Sequence, residues 1–257
     1  MRIFATSDIH IDYKANFQWL MSLSDVDYRQ DILILAGDVS DDESKLAICF
    51  DKLTRMFFKV SFVPGNHELW VRRQNNTQEN QISSYDKFYR VCALAEDYGV
   101  LTKPYHDKSL SIYPLFSWYD YSFGNPCPEL QQRWMDFIAC DWGEQQTITM
   151  VNDFFLQQNP DSPKQHNGMT ITFSHFLPRI DLMPASSSSS HQFVYPVLGS
   201  SKLDRHVRRL GSDIHVYGHS HVNRNVQLEG INYHNNAFGY PTEDHLSQRA
   251  LRCICEL

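Results

Sequence analysis

The sequence has no C-x-x-C pair among its six cysteines, no apolar run near the ~18 residues of a membrane-spanning helix, and no excess of basic charge. Each absence narrows the field. A chain of 257 residues is long enough for a sizeable core, so neither disulfides nor structural zinc is needed for stability. Cys253 and Cys255 fall two apart on an apparent strand, a poor disulfide arrangement, so reduced structural thiols in a reducing compartment are expected. The formal net charge of −7 argues against broad nucleic-acid or anionic-membrane binding. It leaves room for a phosphorylated substrate, because bound cations can reverse the local field. No signal-peptide pattern precedes Ile3-Phe4-Ala5, and a soluble cytoplasmic protein is expected. There is neither an internal repeat nor a dividing linker. Residues 1–257 read as one domain, with an aromatic insertion near 116–142 and a Ser-rich loop near 184–196.

What is present is a recurring pattern of apolar runs that break into polar functional residues. Val60 to Val63 ends in Pro64-Gly65 and delivers Asn66-His67-Glu68; Phe4 to Ser7 leads to Asp8-Ile9-His10. Ile32 to Ala36 leads to Gly37-Asp38, Thr170 to Ser174 to His175, and Ile214 to Tyr217 to Gly218-His219-Ser220-His221. Short apolar runs with abrupt polar ends are the mark of buried strands in an α/β sheet, whose C-terminal edges carry function. Helices are expected around 17–23, after Asp41-Asp42, before Gly99, around 144–158 and over 202–210. Further strands are expected at Val100-Leu101, Ser109–Phe116 and 251–257, and a hairpin about Glu229-Gly230. The aromatic insertion reads either as a satellite hydrophobic cluster or as an aromatic wall that recognises an organic substrate group.

The five strand ends together offer Asp, His and Asn. The two carboxylate oxygens of a residue placed like Asp38 can bridge two cations, and His219 with His221, two apart at a strand-to-loop bend, can both point inward. Mixed oxygen and nitrogen donors suit Mn, Fe, Zn or Co better than Ca or Mg.

The ordered series Asp8-x-His10, Gly37-Asp38-x-x-Asp41, Gly65-Asn66-His67-Glu68, His175 and Gly218-His219-x-His221 resembles the calcineurin-like metallophosphoesterase superfamily. The resemblance implies a four-layer αββα sandwich with two central mixed sheets. It implies two divalent or trivalent transition-metal ions, Mn, Fe or Zn: one on Asp8, His10, Asp38 and His221, the other on Asp38, Asn66, His175 and His219. A water or hydroxide between them would attack phosphorus in line, with His67 protonating the leaving oxygen. Asp41 matches an aspartate that pairs with that histidine, or else caps a helix beside Asp42; Glu68 is expected to be structural. No Arg-Gly follows Asp41, so the signature of Ser/Thr protein phosphatases is incomplete. Arg179 and Arg72, with Arg73, are candidates to grip a phosphate. The expected function is a phosphomonoesterase or phosphodiesterase acting on a small-molecule phosphoester. The alternative is a non-catalytic scaffold of the same fold, in which the metal or catalytic residues would be eroded, and here they are intact.

Overall fold

The computed structural model describes residues 1–71, 82–163, 168–185, 192–243 and 249–257. In chain order its elements are β1 (Arg2–Thr6), α1 (Lys14–Ser22), β2 (Ile32–Leu35), α2 (Glu43–Met56), β3 (Lys59–Phe62) and α3 (Ser84–Asp97). Then come β4 (Tyr105–His106), β5 (Leu110–Pro114), α4 (Pro128–Arg133), α5 (Asp136–Ala139), α6 (Ile148–Gln157) and β6 (Met169–Phe173). The chain closes with α7 (Ser201–Arg209), β7 (Ile214–Tyr217), β8 (Arg224–Leu228), β9 (Ile231–Asn235) and β10 (Arg252–Glu256).

The strands form two mixed sheets, ordered β10-β1-β2-β3 and β4-β5-β6-β7-β9-β8. Strands β1, β2 and β3 are parallel, as are β5, β6, β7 and β9, while β10, β4 and β8 run antiparallel at or near the edges. Side-chain alternation explains the layering. Ile3, Ala5, Ile32 and Ile34 face the second sheet and meet Ile112, Ile171, Phe173 and Val216. The intervening Phe4, Leu33 and Leu35 face the other way, onto Leu46, Phe50 and Leu53 of α2 and Val91 and Ala95 of α3. β2 is apolar throughout because both of its faces are covered. On the far side Tyr113, Tyr217 and Tyr233 pack under Leu156 of α6 and Leu203 and Val207 of α7. The result is the αββα sandwich expected from the resemblance.

The local signals hold with shifted ends. Asp42, not Asp41, caps α2, its carboxylate accepting from the Ser44 and Lys45 amides, and Ser83 with Asp86 forms a capping box on α3. The hairpin turns through Glu229 and Gly230 at φ of 50° and 87°, the left-handed pair that a two-residue turn between twisted strands requires. Val100-Leu101 is not a strand: Leu101 makes a single bridge to Ser61. No described helix is long and apolar enough to cross a membrane.

The parallel strands of both sheets deliver their C-terminal ends to one rim, and the sheets meet closely there. A side chain on Gly37 would strike the His175 ring and the Gly65 backbone at 2.6 and 2.7 Å, and one on Gly65 would strike the Asp38 carboxylate. Gly65→Ala is therefore expected to cost about 1–3 kcal/mol by overpacking, read as a lower denaturation midpoint in urea. An unchanged midpoint would mean that the two loops are not in contact.

Candidate metal centre

The residues that follow the strand ends adopt an uncommon backbone. Asp8, His10, Asp38, His219 and His221 all have φ between 44° and 66°. Asp, Asn and His tolerate this left-handed region best among residues with a side chain, at a cost of order 1 kcal/mol each. Such turns aim each side chain back across the rim. Asp8, His10, Asp38, Asn66, His175 and His219 are all buried, and His221 is half-buried.

Ligand atoms come within 4.8 Å of one another in three groups: Asp8, His10 and His221; Asp38, His175 and His219; and His10, Asp38 and His67, which links the other two. His10 Nε2 is 3.3 Å from His221 Nε2, and His221 Nε2 is 3.2 Å from Asp8 Oδ1. His175 Nε2 is 3.1 Å from both Asn66 Oδ1 and His219 Nδ1. Asp38 Oδ2 lies 3.5 Å from His175 Nε2, and its carboxylate also reaches His67, so it stands between the groups. The seven residues expected as metal donors are thus brought together.

The opposite ring nitrogens support the same reading. His175 Nδ1 donates to the Ala36 carbonyl at 2.9 Å, His219 Nε2 to the Val197 carbonyl at 3.0 Å, and His221 Nδ1 to Glu243 at 2.7 Å. With those nitrogens protonated, the nitrogens facing the centre carry lone pairs, as metal-binding imidazoles require. The Asn66 amide donates to Asp136 Oδ1 at 2.9 Å, which turns its own carbonyl oxygen toward His175. His10 Nδ1 is buried with no hydrogen-bond partner among the described residues.

The charges also call for cations. Burial, with the nearby Glu68 and Asp8 carboxylates, pushes Asp38 well above the usual range. Burial would raise Asp8 too, but the charge and hydrogen bond of His221 hold it below the ordinary value. Burial lowers His10 to about 3, helped by the His221 charge. For His221 burial is outweighed by Asp8 and Glu243, which raise it to about 10. The donor types and convergent lone pairs fit transition-metal ions.

Around the donors lies a cleft of about 380 Å3. His67 stands on its edge. Its amide donates to Asp38 Oδ1 at 3.0 Å, its ring rests 3.7 Å from that of Trp70, and its Nε2 is 3.2 Å from the Tyr240 hydroxyl. Glu68 is structural in a specific sense: its carboxylate accepts from the backbone amides of Asp38, Val39, Ser40 and Gly65 at 2.6–3.0 Å. Asp41 lies in the loop between β2 and α2, its carbonyl accepting from Lys87 at 3.5 Å. The phosphate-gripping role expected of Arg179 meets a competing arrangement, since its guanidinium is engaged by Asp181 and Glu229. Arg133 lines the cleft instead. Arg72 and Arg73 fall outside the described residues, as do the serines at 186–190.

The sequence assigns no role to Glu243, Asp136, Trp70 or Tyr240. For Glu243 no local signal exists. Asp136 carried one: an acid within an aromatic, apolar stretch must find buried partners, and it accepts from Asn66 and from the indoles of Trp70 and Trp134. Asn236 clamps the end of β1 through the Ala5 carbonyl.

A family model described as calcineurin-like phosphoesterase matches residues 1–223. The acyl-carrier-protein phosphodiesterase PptH of Mycobacterium tuberculosis is 28% identical over 267 residues, an alignment covering 94% of this chain and 78% of that protein. A crystal structure of phosphopantetheinyl hydrolase (PptH) from the same organism superposes with a TM-score of 0.75 at 25% identity, covering 98% of this chain and 95% of the other. The expectation of a small-molecule phosphoester substrate is corrected by these relatives, whose substrate is a protein carrying the group. The physical reason is plain. The donor motifs recognise a phosphoester, and whether a free compound or a protein bears it is decided by surfaces that the motifs do not encode. The chain belongs to the calcineurin-like phosphoesterase family.

Proposed function

We propose that this phosphoesterase hydrolyses the phosphodiester joining a phosphopantetheinyl group to a carrier protein. The observation that carries the proposal is an intact donor set and His67 at one narrow cleft, in a chain aligned over 94% of its length with a carrier-protein phosphodiesterase. Two transition-metal ions, drawn from Mn, Fe and Zn, are the proposed cofactors. Asp8, His10, Asp38 and His221 would hold one, and Asp38, Asn66, His175 and His219 the other. When bound, such ions supply Lewis-acid stabilisation of phosphoryl charge and a lowered pKa for water. A cytoplasmic setting is proposed as well, in keeping with six free thiols.

The side chains have separable tasks. Asp136 fixes the Asn66 amide, and Glu243 fixes the His221 ring. Glu68 holds the two loops that carry Asp38 and Asn66. His67 faces the cleft from the Trp70 platform, positioned to give a proton to the departing oxygen. Burial presses His67 toward its neutral form, and an anionic phosphoester in the cleft favours the protonated form.

Asp38→Asn is expected to abolish turnover and lower the bound metal measured by elemental analysis, since it removes the shared carboxylate; near-normal metal content would refute the ligand assignment. Chelation should silence the unmodified enzyme, and added Mn, Fe or Zn should restore it. Activity that persists after the protein is verified metal-free would contradict the cofactor proposal. His67→Ala is expected to keep the metal yet slow turnover by ~10²–10⁴, with smaller losses for esters of acidic leaving groups. An equal loss for every leaving group would show that His67 is not the acid.

A further inference from the structure

The two ends of the cleft differ in chemistry. At one end His67 Nε2 faces the Tyr240 hydroxyl, and the Tyr240 ring stacks on His10 with centroids 4.3 Å apart. Tyr13 meets Tyr240 edge-on at 5.5 Å and is 46% exposed, so this end opens to the protein surface. At the other end the wall is mainly apolar, although Arg133 also lines the cleft. Trp134 stands edge-on to His219 at 5.9 Å, its indole fixed by a 2.8 Å hydrogen bond to Asp136. Met135, Val194 and Leu198 complete that wall.

Resting on the function proposed above, we infer how the substrate lies: the retained phosphopantetheinyl arm runs along Trp134, Met135, Val194 and Leu198, and the carrier protein departs past Tyr240 and Tyr13. Two constraints lead there. A cleft of about 380 Å3 admits a flexible arm but not a folded protein, so the carrier stays at the mouth. In-line displacement places the leaving oxygen beside the acid, at the His67 end, and the retained group must occupy the remaining end. In the reaction the oxygen of water bonds to phosphorus as the bond from phosphorus to the carrier hydroxyl breaks. The proton lost from water is balanced by the one His67 delivers to that hydroxyl oxygen. Free phosphopantetheine and the unmodified carrier are the products. The methylenes and methyl groups of the arm match the apolar wall, whereas the Tyr240 end offers hydroxyls and an exposed ring to a protein surface.

The test compares product inhibition with substrate affinity in the metal-loaded enzyme. Met135→Ala and Val194→Ser, both at half-buried positions, are expected to raise the inhibition constant of free phosphopantetheine by about three- to tenfold. Tyr13→Ala is expected to raise KM for a phosphopantetheinyl carrier protein several-fold more than it raises that inhibition constant. The reverse pattern, with Tyr13→Ala weakening phosphopantetheine and the wall variants leaving it unmoved, would overturn the orientation. Failure of the unmodified enzyme to cleave the phosphopantetheinyl carrier, while it still cleaves bis(p-nitrophenyl) phosphate, would instead overturn the substrate itself.

Discussion

One buried carboxylate holds the rim together. Glu68 is inaccessible to solvent, and its two oxygens accept four backbone N–H groups, three from the loop after β2 and one from the loop after β3. Hydrogen bonds to a charged group contribute roughly 1.5–3 kcal/mol each, against several kcal/mol for burying the charge. Burial raises Glu68 to about 7 even though the four amides pull it down. The bonds also fix the left-handed turn at Asp38 and bring Gly65 under it. Without that staple the two loops would have to hold strained backbone and crowded carboxylates with little to oppose their separation.

The electrostatic consequence is a concentration of buried acid. Asp8, Asp38, Glu68 and Asp136 lie around a single cleft floor, and burial raises Asp38, Glu68 and Asp136 above their ordinary values. Their partners are amides, indoles, imidazoles and hydroxyls rather than lysine or arginine. A protein that needed only stability would place apolar groups here. The arrangement suits a centre that receives positive charge from outside the chain, with the histidine tautomers already set by Ala36, Val197 and Glu243.

Much of this was legible in the sequence, for identifiable reasons. β1, β2, β6 and β7 could be read because short apolar runs bounded by Gly, Asp and His have few other meanings, and the donors follow directly from those strand ends. The boundary errors arose where capping chemistry was ambiguous, as with Asp41 and Asp42. The supporting groups were hidden because their partners are remote: Glu243 meets a ring 22 residues away, and Asp136 an amide 70 residues away. Periodicity carries no information over such distances. The aromatic insertion illustrates the same limit. The cluster reading holds for Trp118 and Tyr119, which are buried with Phe155 and Phe176, whereas Trp134 lines the cleft. Asp136 connects the two, since it anchors Trp134 and Trp70 as well as Asn66. Whether a free compound or a protein bears the phosphoester could not be read at all, because the hydrolytic motif is indifferent to what lies beyond the phosphate.

A two-metal centre in this fold requires Asp38 to stand between two sets of donors. Anomalous scattering from crystals of Mn-loaded protein tests this most directly. The expected result is two peaks flanking the Asp38 carboxylate, one toward His10 and His221, the other toward His175 and His219. A single peak remote from Asp38, or none at full Mn saturation, would contradict it.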